Sequence, residues 1–219
     1  MARKLIYVPL YHSYEEIEGI VEPIIDRAVK KSVGVFGRGK AKKEIKSEIR
    51  DVMNSSVNKY WDAVENDVDK LIDDYGSLSV FQEGIYWGDD TAKSQAKSAA
   101  EAFGTRNFSY VFKLAEKGAK IRETEDMEAY FAHLANNKVS LKNGKETNDS
   151  GHIDRRDSEI AKRINEKLDG NGILFLGSLH NALQYIEDDI EVTTVKPFDA
   201  SMDMRVSLGI VLAKRRGKK

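Results

Sequence analysis

The sequence predicts an α/β fold, a largely parallel sheet flanked by helices. Short runs rich in aliphatic and β-branched residues alternate with long stretches of helical periodicity, the pattern of βαβ units. One of these runs, "GILFL" from Gly172, is apolar throughout, as expected of a strand covered by helices on both faces. The 219 residues are 41% apolar and 32% charged, with 3 prolines, a composition able to bury one sizeable core. A single domain over residues 1–219, ending in a short basic tail, is the corresponding expectation.

Each element follows from local pattern. The first strand is expected over Lys4 to Leu10. Directly after His12, "SYEEIEGIVEPIIDRAVKK" carries Ile17, Ile20, Ile24 and Val29 near one face, and Ser13 with Glu16 forms a capping-box pattern, so a helix is expected there. Gly34 to Gly39 form a glycine-rich break. A long or bent helix then places Ile45, Ile49, Val52, Val57, Trp61, Val64, Val68 and Leu71 at helical spacings. A second strand over Leu78 to Gln82 ends at Glu83. The alanine-rich stretch that follows reads as helix, interrupted near Gly104, with a last part from Asn107 to Lys117 that stops at Gly118. "AKI" from Ala119 is a short third strand, and Thr124 with the acidic residues after it, Glu125 among them, resembles a helix start in which Glu123 and Glu125 favour the dipole. Asn143 to His152 form a polar loop of the size used for lids and insertions. A helix is expected over Arg156 to Leu168, then the "GILFL" strand, then a strand over Asp189 to Val195. "MRVSLGIVLAK", from Met204, fits an edge strand or a closing helix.

Composition removes several function classes. The chain has no cysteine, which excludes disulfides, thiolate nucleophiles, iron–sulfur clusters and cysteine zinc sites, so any metal must be held by nitrogen and oxygen. Thirty-five basic against 36 acidic residues leave a net charge of −1, which gives no general reason to expect nucleic acid or an anionic membrane as partner. The basic clusters "GRGKAKKEIK", Gly37 to Lys46, and "AKRRGKK", Ala213 to Lys219, are the local exceptions. No apolar run is long enough to span a bilayer or has a signal-peptide layout, so a cytoplasmic location is expected.

In an open parallel sheet, ligands bind outside the carboxyl ends of the strands. Reading off the residues that follow each strand gives His12 after the first, Glu83 after the second, Arg122, Glu123 and Glu125 after the third, and His180 after "ILFLG". Two imidazoles and a carboxylate form a ligand set for a divalent metal such as Mn, Zn or Fe with open positions, or alternatively an acid/base pair. Candidate metal ligands are therefore His12, Glu83 and His180, and candidate catalytic residues are Glu83, His180 and Arg156, the arginine holding an anionic substrate or fixing Glu83. Gly177 is expected to let the strand turn tightly into a helix whose first turn carries His180, and Gly84 to let backbone approach a ligand. Gly177 and Ser178 are the candidate cofactor-binding pair, an anion pocket at that helix start. His133 reads as a surface or packing residue, and His152 as a solvated loop residue. "GVFGRGK" is not a phosphate-binding P-loop, because no Ser or Thr follows Lys40 and the glycine spacing differs. "LGSLHN" lacks the G-x-S-x-G elbow of a serine hydrolase.

The block "RRDSEIAKRINEKLDGNGILFLGSLHNALQYIEDDIEV" resembles the C-terminal signature of the TraB/Tiki and erythromycin-esterase/ChaN-like superfamily. Gly177 and His180 match its Gly-x-x-His motif, Arg156 and Asp157 its Arg-Asp pair, His12 its first strand-end histidine, and Glu83 the acidic residue after the second strand. Arg155 stands where an acidic residue is often found, and Pro9-Leu10-Tyr11 replaces the usual small Gly-Thr lead-in to His12. A little-characterised branch sharing "WDAVENDVDKL", "VFQEG" and "KGAKIRETED" is closer still. The resemblance implies an α/β sheet with both histidines and the acidic residue at one site. The strand-end constellation itself points to a hydrolase acting on an ester, amide or phosphoester of a small molecule or peptide, through water on a metal ion or, in a metal-free version, through water activated by Glu83 or a histidine. A non-catalytic module binding a small anion, nucleotide or cofactor in the same cleft is the alternative. A nucleic-acid-associated protein working through the two basic clusters is a third, weaker one.

Overall fold

The computed structural model describes residues 2–11, 26, 38–132, 150–178, 180–200 and 202–203. Five strands form one sheet: β1 (Arg3–Leu10), β2 (Ser79–Gln82), β3 (Lys120–Arg122), β4 (Asn171–Gly177) and β5 (Ile190–Thr194). Every pairing is parallel, in the order β3-β2-β4-β1-β5. The helices are α1 (Arg38–Leu71), α2 (Asp89–Phe103), α3 (Arg106–Glu116) and α4 (Ser150–Lys167); residues 127–132 are also helical, and a 3₁₀ turn lies at Ala182–Tyr185. The chain is an α/β protein with an all-parallel sheet flanked by helices. Among the described residues, no helix is long and apolar enough to cross a membrane.

Backbone packing divides the chain into two compact units, Met1–Leu10 with Val64–Lys196, and Tyr11–Ala63 with Pro197–Lys219. The first holds the sheet. Its central strand β4 is buried from Gly172 to Gly177 because helices cover both faces. Leu174 and Leu176 join Ile160, Ile164 and Leu168 in one apolar cluster with Leu5, Phe81 and Ile190. Phe175 meets the buried ring of Tyr110 from α3 edge-on, centroids 6.0 Å apart. In the second unit the α1 residues Ile45, Ile49, Met53, Val57 and Trp61 are buried at intervals of one helical turn, and Tyr60 is packed edge-on by Tyr11 and Phe198.

Several boundaries differ from expectation for identifiable reasons. Helix α1 starts at Arg38 and takes in Gly39, whose cost in a helix is roughly 1 kcal/mol, small against the apolar stripe that follows. Met53 takes the buried place expected of Val52, while Leu71 is 50% exposed. Gly104 separates α2 from α3 in the left-handed conformation, φ 62°, its N–H donating to Ala100 O. Helix α4 begins at Ser150, six residues before Arg156, so the backbone of His152 is helical and not part of a loop. Thr124 does not cap a helix. It is fully buried, its Oγ1 accepts from Gln82 N at 2.9 Å, and Asp126 is the residue that caps the 127–132 helix through Ala129 N. Of the helix expected after His12 only Asp26 is described, and it is helical; the residues from 204 onward with the basic tail, His133 and the greater part of the 143–152 loop lie outside the described residues.

Candidate functional site

The site is built where β2 and β4 end side by side. Gln82 pairs with Phe175, and Glu83 N continues the ladder by donating to Phe175 O at 2.9 Å. This register carries the Glu83 side chain past the end of β4, where Gly177 N donates to its Oε2 at 2.8 Å. Gly177 is required for space, not for a turn. A Cβ there would lie 2.9 Å from Glu83 Oε2 and 3.4 Å from His180 Cδ2. Gly84, at φ 83°, makes the left-handed turn that sends the chain away from the sheet, and Ile85 O then accepts from Thr124 N and Glu125 N. Glu125 is thereby brought beside Glu83.

Helix α4 supplies the other half. Arg156 and Asp157 lie one turn before Ile160 and Ala161 and continue the buried stripe of the helix, exposing 3% and 0% of their surface. Arg156 donates from Nη2 to Glu83 Oε1 at 3.1 Å and from Nε to Glu125 Oε2 at 3.1 Å, and a second bond joins its Nη2 to Glu125 Oε1. Asp157 holds the turn after β4: Oδ2 accepts from Asn181 N at 2.6 Å and Oδ1 from His180 Nδ1 at 2.5 Å. Nε2 of His180 then faces Glu83 Oε1 at 3.2 Å. His180 is not delivered by a helix. It follows a turn closed by its own N–H to Gly177 O, and only a 3₁₀ turn comes after it.

Electrostatics follow from this layout. Burial alone would lower the His180 pKa, but its bonds to Asp157 and Glu83 and the Glu83 charge outweigh burial and the opposing charge of Arg156, raising it to about 9. The ring is an imidazolium at neutral pH. Burial alone would raise Glu83, yet the bond and charge of His180, the charge of Arg156 and the Gly177 N–H hold it well below the usual carboxylate range. Arg156 is raised despite burial by Glu125 and Glu83. Tyr130 belongs to the same site: Arg156 Cζ lies 5.4 Å from its ring centroid, and its hydroxyl would be 3.9 Å from a Cβ at position 84. Burial and the charge of Glu125 raise its phenol.

Of the residues predicted from sequence, Glu83, His180, Arg156 and Gly177 come together. Ser178 is exposed, and the Gly177 N–H offered to an external anion is taken by Glu83. His12 lies outside the described residues. Glu123 and Glu125 are not helix-terminal carboxylates: Glu125 pairs with Arg156, and Glu123 with Arg163 and Lys167. No family model, curated protein or solved structure matches the chain.

For a metal, His180 Nε2 and Glu83 Oε1 are adjacent donors, and an imidazole anchored through Nδ1 by a buried carboxylate is how metal-binding histidines are oriented. Against this, the two Glu83 oxygens already accept from three donors, one of them the Arg156 guanidinium. Among the described residues, no group of three or more His, Asp or Glu is arranged to hold a metal ion. Among the described residues, the Glu83 oxygens and His180 Nε2 are thus engaged with one another and with Arg156 and Gly177. Asp157, Glu125 and Tyr130 were missed as site residues in the sequence. The signal for Asp157 was present, since a charged pair sits on the buried stripe of an amphipathic helix.

Proposed function

We propose that the chain is a hydrolase in which water attacks an ester, amide or phosphoester of a small-molecule or peptide substrate at the Glu83–His180 pair, in a cytoplasmic setting. One observation carries the proposal: a buried Asp157–His180–Glu83 chain with its outer bond at the carboxyl edge of a parallel sheet. His180, protonated at neutral pH, is in the form of a general acid and gives its Nε2 proton to the leaving atom. As that proton moves away, Glu83 loses the first of the partners that suppress its basicity and takes a proton from the attacking water. The 3.2 Å contact then returns the proton from Glu83 to His180 and closes the cycle. Asp157 fixes the ring, and Arg156 fixes Glu83. The metal-dependent form of the proposal needs His12 as a third donor beside Glu83 and His180.

The test is hydrolysis of p-nitrophenyl acetate, an amino-acid p-nitroanilide and p-nitrophenyl phosphate, with and without EDTA and added Mn, Zn or Fe. Glu83→Gln and His180→Gln are each expected to lower the rate on the active substrate at least 100-fold, in the range of general acid/base contributions. Unchanged rates in both variants would reject the proposal. Rates restored only by one metal, and lost in His12→Ala, would support the metal-dependent form. The mutual satisfaction of every charged group in the network favours a second reading, a non-catalytic binding module. A thermal-shift screen with metals and nucleotides that raises Tm without turnover would favour that module.

A further inference from the structure

Four residues beyond Glu83, the chain exposes an aromatic surface continuous with the site. Tyr86 and Trp87 meet edge-on at 4.6 Å, and Tyr86 lies 5.8 Å from Tyr130 and 5.9 Å from Phe131 between centroids. Phe131 also packs against Tyr130 at 5.6 Å. Met127, Tyr130 and Phe131 fall at i, i+3 and i+4 within the helical residues 127–132, so they share one helix face. The outer members remain uncovered, Trp87 at 45%, Phe131 at 51% and Met127 at 48% exposure. Large aromatic groups gathered at one place on a surface mark contact sites far more often than scattered exposed residues do.

Tyr130 decides what the surface is for. It stands in the ring cluster and at the same time under the Arg156 guanidinium that binds Glu83. The apolar surface is therefore an outward continuation of the acid/base centre, with one ring shared between them. The link runs from Trp87 and Phe131 through Tyr86 and Tyr130 to the guanidinium of Arg156, which holds Glu83. The charged side chains Arg156, Glu83, Glu125 and His180 are engaged with one another, so contact with an uncharged portion of a substrate falls to the rings. We propose that the site takes small aryl esters or amides, the aryl group stacking on Trp87 and Phe131 while the carbonyl is presented to Glu83 and His180. The proposal rests on the hydrolase reading for its chemistry and on the aromatic surface for its substrate class.

Binding and turnover separate the two. The probe is 4-fluoroacetophenone, an uncleavable analogue of an aryl acetate, followed by ¹⁹F NMR against wild-type protein, Trp87→Ala, Phe131→Ala, Trp87→Tyr and Glu83→Gln. Wild type and Glu83→Gln are expected to bind it, the two alanine variants three- to tenfold more weakly, and Trp87→Tyr to recover most of the loss. Circular dichroism and melting curves confirm that these exposed positions leave the fold unchanged. The KM for phenyl acetate is expected to rise three- to tenfold in Trp87→Ala, while the KM for ethyl acetate stays as in wild type. Aryl binding that depends on Trp87 without turnover of any ester or amide would uphold the aromatic subsite and reject the hydrolase chemistry. Probe binding that is absent, or equal in wild type and Trp87→Ala, overturns the aromatic subsite even where Glu83-dependent hydrolysis is observed.

Discussion

Arg156→Met should destabilise the protein strongly at neutral pH. The guanidinium is 4% exposed and is the partner of two carboxylates, Glu125 at 1% exposure and Glu83 at 19%. A methionine fills most of the same volume, so the loss is electrostatic. Removing one partner of a buried ion pair costs about 3–5 kcal/mol, because the remaining charge is left uncompensated. At roughly 2–4 °C per kcal/mol for a chain of this size, the melting temperature should fall by about 6–20 °C at pH 7. The penalty belongs to the carboxylates left without a partner, so adding Glu125→Gln to Arg156→Met should recover part of it. Calorimetry or urea denaturation of the single and double variants at pH 7 measures both effects. A loss under 1 kcal/mol, or no recovery in the double variant, would refute the buried network as drawn.

Three further outcomes are expected. His180 has its folded pKa raised from 6.5 to about 9, so its contribution of roughly 3 kcal/mol is complete below pH 6.5 and is lost as pH rises through 9; NMR titration of the ring and urea unfolding between pH 6 and 10 should both report it, and His180→Gln should flatten the stability profile. Asp157→Asn should lower the His180 pKa and move the alkaline limb of any pH–rate profile toward neutrality, an unchanged limb arguing against His180 as the acid. Gly177→Ala should cost about 1–3 kcal/mol by forcing Glu83 aside, whereas Gly151→Ala, with nothing within 4 Å of the added carbon, should stay within about 1 kcal/mol of wild type in thermal melts.

The sheet was legible because its strands are short and apolar against a background of helical periodicity. Even the three-residue β3 could be placed, since Gly118 ends the preceding helix and leaves only "AKI" to extend. The carboxyl-edge rule then brought Glu83 and His180 to one place without any contact being known. What stayed hidden depended on tertiary pairing. Glu125 sits in an acidic run that suits a helix start, and only the bonds that Thr124 N and Glu125 N donate to Ile85 O turn it inward to Arg156. Gly177 looked like a turn residue because turning and making room for a neighbour both select glycine. Tyr130 carries no local mark of a site residue; its role depends on Arg156, which follows it by 26 positions in the chain.

The parallel arrangement also governs when the centre comes into existence. Glu83 and His180 are 97 residues apart, and they meet only after β2 and β4 have paired across the crossover that contains β3 and α4. Such long loop closures are slow, since the entropy of closure is spent before the contacts that repay it form. A chain still emerging during synthesis therefore carries Glu83 without its reactive partner until β4 and the turn after it have been made and have docked beside β2. Recovery of the His180 titration after dilution from denaturant would serve as a clock for completion of the sheet.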